Sequence, residues 1–154
     1  MLAKALRSAM IFVVVSAMGS TLLASEFECT PTRQDAKGPF YEPDAPVRDS
    51  VGSGFVLVGK VKSAKDCSSI TDARIEAWMA GPDGRYDDAY RATLSVDGEG
   101  GYRFQSHFPP TYGFRPPHIH LRITAEGHQT LVTQFYPEEG TDAGHFDLVL
   151  TPDS

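Results

Sequence analysis

Apolar and polar positions alternate with a period of two along most of the chain beyond residue 54, the pattern of strands that bury one face. GFVLVGKVK sets Phe55 and Leu57 against Val56 and Val58, and Val61 continues the run. ARIEAWM puts Ile75, Ala77 and Met79 on one side and Arg74, Glu76 and Trp78 on the other. GYRFQS is a short candidate between DGEGG and FPPTYG, and HIHLRIT and TLVTQFY are β-rich runs separated by AEGHQ. HFDLVL closes the series with Phe146, Leu148 and Leu150 in alternation. No window beyond the first 25 residues carries a helical period. Short strands at close spacing, punctuated by Gly, Pro and Asp turns, predict an all-β, single-domain β-sandwich. Ahead of the strands, Cys29 to Ser53 is rich in Pro, Gly and Asp, which denies it regular structure. Phe40 and Tyr41 are too apolar for a free tail, so this segment is expected to be an irregular N-terminal arm laid over the body.

The first 25 residues change the setting. Lys4 and Arg7 precede a charge-free stretch containing IFVVV and ending in small residues. That is the form of a secretory signal peptide, and Ser16, Gly19, Ser20 and Thr21 dilute it too much for a membrane anchor. Residues 1–25 are therefore expected to be a leader and 26–154 the folded domain, exported to the periplasm or the extracellular space. Across 154 residues, 14 basic side chains face 20 acidic ones, and both leader charges are basic. An acidic exported chain without a basic patch argues against nucleic-acid binding. The only cysteines, Cys29 and Cys67, form an even pair in an exported chain. That favours a disulfide from the arm to the loop near Asp66, with two buried free thiols as the alternative.

Candidate chemistry concentrates in TYGFRPPHIH, where Tyr112, Arg115, His118 and His120 fall within nine residues. In an extended segment His118 and His120 project to the same side while Ile119 enters the core. Two imidazoles so placed can chelate a transition metal, although a His-x-His on a strand is also commonly a plain surface pair. A phenol becomes a useful ligand only when a strongly charged, hard cation displaces its proton, which suits ferric iron better than zinc. Zinc or copper on the same histidines is the competing metal reading. Glu138 and Glu139 follow a turn and make poor partners for a two-His, one-carboxylate site. His107, His128 and His145 read as surface or structural residues, Trp78 as a packing residue, and Tyr90 as a weaker rival to Tyr86.

Taken in chain order, TP then GPFY, a strand ending in Trp, GRY, DGEGGYRF, RPPHIH and TQFY resemble the intradiol ring-cleavage dioxygenases, the family of the protocatechuate and catechol dioxygenases. The resemblance runs from about Cys29 to Leu150. It implies a β-sandwich holding a non-haem Fe(III) on Tyr86, Tyr112, His118 and His120, with Tyr112 the labile ligand. It further implies that Arg115 stabilises negative charge on the substrate. Gly38, Pro39, Tyr41 and Gln134 would wall the substrate pocket. The implied reaction inserts O2 into a catechol-type diol to give a cis,cis-muconate-type diacid. The loop from Tyr112 to Arg115 is shorter than in the large catechol enzymes, and the helical region through which those enzymes dimerise is lacking. Family members commonly form homo-oligomers, but no interface can be read from this chain. The alternative of another class is a secreted β-sandwich module that binds a metal or ligand without catalysis.

Overall fold

A computed structural model describes residues 27–154; the expected leader lies outside the described residues. Eight strands follow in chain order: β1 (Phe55–Ser63), β2 (Arg74–Trp78), β3 (Arg91–Ser95), β4 (Gly101–Ser106), β5 (Ile119–Thr124), β6 (Leu131–Phe135), β7 (Ala143–His145) and β8 (Leu148–Leu150). A 3-10 turn at Asp88–Tyr90 is the one helical element among the described residues. The strands make two four-stranded sheets. One has the order β3-β2-β5-β6; in the other, β1 lies between β4 and β7 and also pairs with β8.

The period-two pattern explains the packing. Phe55, Leu57 and Val61 of β1, Phe104 of β4, and Leu148 and Leu150 of β8 are fully buried in one cluster with Ile75, Ala77, Ile119, Leu121 and Ile123 of the other sheet. Each such aliphatic or aromatic side chain contributes roughly 1.5–3 kcal/mol when taken from water. The result is the β-sandwich that the alternation implies.

Two elements differ from the sequence reading. RATLS forms β3, pairing antiparallel with β2 from Arg74↔Ser95 to Trp78↔Arg91, because Ala92 and Leu94 point into the core. HFDLVL is not one strand: β1 pairs in parallel with β7 and with β8, and the ladder is interrupted at Phe146 and Asp147. There the Phe146 carbonyl accepts from the Tyr102 hydroxyl at 2.7 Å, and the Lys60 N–H donates to the Asp147 carboxylate at 2.9 Å. Gly59 permits this crossing, since a Cβ there would lie 2.0 Å from the Phe146 oxygen.

The arm is a strap over the outer face of the β3-β2-β5-β6 sheet. At the β6 edge Asp35 N–H donates to Val132 O at 2.8 Å, and Val132 N–H donates to the Gln34 side chain at 2.9 Å. At the β3 edge Thr93 N–H donates to Pro46 O at 2.8 Å, and Arg48 N–H to Thr93 O at 3.2 Å. Residues 36–45 cross between these anchorages. The arm's start is tied by a Cys29–Cys67 disulfide, with Cα atoms 5.4 Å apart, and by Cys29 N–H donating to Ala64 O at 3.0 Å.

Candidate metal centre

Beneath the strap, β5 turns His120 outward opposite Trp78 of β2 and Gln134 of β6, its cross-strand partners. His118 precedes the strand by one residue and lies on the same side. Tyr86 comes from the loop after β2, which Gly81 and Gly84 fold tightly: Gly81 N–H donates to Arg85 O at 2.7 Å and Gly84 N–H to Gly81 O at 2.8 Å. Tyr112 and Arg115 flank a two-residue turn closed by mutual backbone bonds of 2.9 and 3.2 Å. Gly113 takes the left-handed conformation in that turn, with φ 59°.

Tyr86, Tyr112, Arg115, His118, His120 and Gln134 line one cleft of about 110 Å³, together with Ala36, Gly38, Pro39 and Phe40. Three polar atoms meet within it. Tyr86 Oη lies 3.2 Å from His118 Nε2, and His118 Nε2 lies 3.1 Å from His120 Nε2. Tyr112 stands at the mouth, more than one-third exposed, with its ring 5.4 Å from that of Tyr86 and nearly perpendicular to it.

The His118 tautomer follows from its surroundings. Nδ1 is 2.6 Å from Pro116 O. A carbonyl only accepts, so in the neutral ring Nδ1 carries the hydrogen and Nε2 offers a bare lone pair. Both Tyr86 Oη and His120 Nε2 crowd that single lone pair, which can accept one hydrogen. A cation shared by all three atoms relieves the conflict, and so the donor set suits a metal. Among the described residues, no cluster of three His, Cys, Asp or Glu side chains offers a different metal site. Glu138 lines a separate hollow beside β7.

Burial sets the protonation of the cleft. Burial, and then the neighbouring Tyr112, push the Tyr86 phenol up to about 12, against the pull of Arg115. Burial, and then His118, push His120 down to about 4. Left to themselves, then, the imidazole of His120 is neutral at pH 7 and the phenol of Tyr86 is protonated. A bound cation reverses the second condition by displacing the phenol's proton.

Surrounding residues fix these groups. The Trp78 ring lies flat on His120, with centroids 4.9 Å apart and 4° between planes. Phe40 stacks on Tyr86 at 4.4 Å and meets Tyr112 edge-on at 5.4 Å. Gly38 runs beside the His120 ring, and its φ of +70° disfavours any side chain there. Arg115 donates to Gln134 Oε1 at 2.7 Å, and Gln134 Nε2 donates to Ala36 O at 2.5 Å. His120 Nδ1 and Trp78 Nε1 are buried without a hydrogen-bond partner.

Tyr41 takes a different place from the pocket wall expected of it. It packs against Trp78 at 5.1 Å and donates to Glu76 Oε2 at 3.2 Å, behind the cleft. Its neighbour Phe40 is the aromatic that enters. Tyr90 fills the space over Gly81, where a Cβ would meet its ring at 2.1 Å, and is a packing residue. His107 and His128 bond to Ala80 O and Ser63 Oγ, each at 3.1 Å, and His145 sits 3.4 Å from Asp147. Sequence reasoning gave no role to Phe40, Asp35 or Tyr136, which contact the site. Tyr136 was legible in principle, because it follows Gln134 by two and shares its side of the chain.

An all-β sandwich with a strapped outer face gathers a His-x-His and two phenols, donors suited to a metal ion, over one sheet. The chain belongs to the intradiol ring-cleavage dioxygenase family. It is 30% identical over 138 residues to a chlorocatechol 1,2-dioxygenase of Cupriavidus pinatubonensis, a match covering 68% of this chain and 54% of that protein. It is 25% identical over 162 residues to an intradiol ring-cleavage dioxygenase of Aspergillus niger, covering 82% of this chain and 50% of that one. Among solved structures, the dioxygenase domain of a dioxygenase–carbohydrate-binding fusion from Streptomyces sp. SirexAA-E matches with a TM-score of 0.72 and 26% identity. That match covers 80% of this chain and 100% of the domain. The chain spans about half the length of the curated relatives it matches. No protein-family model matches it.

Proposed function

We propose that this protein is an Fe(III)-dependent intradiol dioxygenase that inserts O2 into a small catechol-type diol to give a cis,cis-muconate-type diacid. One observation carries the reading: His118 Nε2 lies 3.2 Å from Tyr86 Oη and 3.1 Å from His120 Nε2, in a cleft that Tyr112 and Arg115 also line. Tyr86, Tyr112, His118 and His120 would hold the iron, which when bound keeps phenols ionised and draws electron density from a bound diol.

The chain's own residues supply the rest. Trp78, stacked flat on His120, fixes the plane of that ring. Phe40 covers Tyr86 and keeps water from it. Tyr112, at the open mouth, is placed to take a proton from an arriving diol hydroxyl as a general base. Arg115, braced by Gln134, offers a fixed positive charge to the ring as it becomes anionic. Gly38 and Pro39 form the opposite wall. Export is part of the proposal, supported by the leader-like first 25 residues and by the Cys29–Cys67 disulfide, which suits an oxidising compartment.

The test is oxygen uptake by the iron-loaded protein over a panel of catechols, with the ultraviolet spectrum of the product recorded. One O2 consumed per diol, with growth of a muconate-type absorbance, is expected. Bound iron with no uptake on any diol would instead favour a binding module that lacks catalysis.

A further inference from the structure

Behind Arg115 lies a set of contacts that links the cleft to the strap. We infer that Tyr136 and Asp35 are positioning residues that hold the Arg115 guanidinium toward the cleft, joining it to the arm through a phenol. The inference rests on the reading of the cleft as a ring-cleaving site.

One Arg115 nitrogen, Nη2, donates both to Gln134 Oε1 at 2.7 Å and to Tyr136 Oη at 3.0 Å. Tyr136 Oη also lies 2.9 Å from Gln134 Oε1 and 2.9 Å from Asp35 Oδ2. A phenol has a single hydrogen to give. Gln134 Oε1 already receives the guanidinium, and a carboxylate is the stronger acceptor, so the hydrogen goes to Asp35. The phenol oxygen then keeps its lone pairs for Arg115.

Each acceptor is itself held. Gln134 is oriented by Ala36 O. Asp35 is fixed by its N–H to Val132 O at 2.8 Å and by Ala36 N–H on its own carboxylate at 2.6 Å. Burial opposes the Asp35 charge, but the Ala36 N–H, Tyr136 and Arg115 together hold the carboxyl below its ordinary value. Gln134 and Tyr136 both take their hydrogen from Nη2, so neither occupies Nε or Nη1 of Arg115, a residue that lines the cleft. Fixing a free arginine costs rotamer entropy, and the brace meets that cost before substrate arrives. Docking of the arm and orientation of the charge are thereby one event.

The experiment compares Tyr136→Phe, Asp35→Asn and the double variant in the iron-loaded protein. It also records the guanidinium nitrogen resonances of Arg115 in metal-free wild type and in metal-free Tyr136→Phe. Each single variant should keep its iron, its visible spectrum and its melting temperature, while kcat falls about 10-fold and KM moves less than about 3-fold, the split expected of lost orientation. The double variant should be no worse than about 2-fold beyond the poorer single variant, because both act through one relay. In the metal-free protein, the Arg115 Nη signals should be separate in wild type and averaged in Tyr136→Phe. Unchanged kcat in both variants, costs that multiply in the double variant, or averaged Nη signals in wild type would each overturn the inference. If the wild type turned over no catechol, the reading of the cleft as an enzyme site would fail, and the resonances would still decide whether Arg115 is braced.

Discussion

The inner face of the β3-β2-β5-β6 sheet and the middle of its outer face are almost equally dry but built from opposite chemistry. Toward the second sheet stand Ile75, Ala77, Ile119, Leu121 and Ile123, at most 1% exposed. Toward the arm stand Glu76, Trp78, His118, His120 and Gln134, at most 5% exposed. The inner face is dehydrated by another sheet and asks only for close packing. The outer face is dehydrated by an irregular strap, and its polar groups need partners. Glu76 shows how this is met: Arg122 donates to it at 2.7 Å, and Tyr41 at 3.2 Å. Those partners press Tyr41 onto Trp78, and Trp78 onto His120. The teaching is that one sheet supports a stable core and a reactive cleft by giving each its own cover.

The comparison breaks most sharply at the outer face. His118→Ala should abolish iron retention and lower turnover by about 10³-fold or more, since removing one ligand disables the centre as a unit, with much less effect on folding. Iron content and oxygen uptake measured together check it. On the inner face the effect reverses. Leu121→Ala, at a fully buried position, should lower stability by about 2–5 kcal/mol in denaturant unfolding, while the folded fraction keeps its iron. Reducing the Cys29–Cys67 link, which spans 38 residues, should cost about 4 kcal/mol by loosening the unfolded chain's constraint. Because that link holds the start of the strap, protease cleavage should begin within residues 30–50.

A subtler change sharpens the contrast. Glu76→Gln leaves Arg122 without its counter-charge beneath the arm and should destabilise by about 2 kcal/mol, between the small worth of a surface pair and the cost of breaking a buried one. Thermal melts check that figure. The smallest effect concerns pH. Asp35 is held below its ordinary 3.8, so its contribution to stability is full above that value and is lost as pH falls through the lower folded value. Asp35→Asn should therefore remove a small contribution to stability at neutral pH and flatten the acid limb below about pH 4. An unaltered acid limb would show that Asp35 gains nothing from its place in the arm.

The inner face was the legible one. Alternation in GFVLVGKVK, ARIEAWM and HIHLRIT reports burial against a flat partner, and the structure follows it residue by residue. β3 escaped because RATLS offers two apolar positions, too few to stand out beside the acidic turn at Asp87 and Asp88. The break in HFDLVL escaped because it depends on Tyr102, Lys60 and Gly59, which are remote in sequence. On the outer face, the spacing of Tyr112, Arg115, His118 and His120 pointed to one centre, and Tyr86 and Gln134 were assigned by resemblance. The arm has no period, however, and nothing in GPFY says which of two adjacent aromatics faces inward. In the structure Phe40 stacks on Tyr86, while Tyr41 meets Trp78 and bonds Glu76, partners remote in sequence.

The central claim is that two phenols and two imidazoles share one ferric ion, and the visible absorption spectrum of the iron-loaded protein tests it most directly. A red-brown charge-transfer band should be present, losing intensity in Tyr86→Phe and shifting in Tyr112→Phe. A colourless protein with a full equivalent of bound iron would contradict the account.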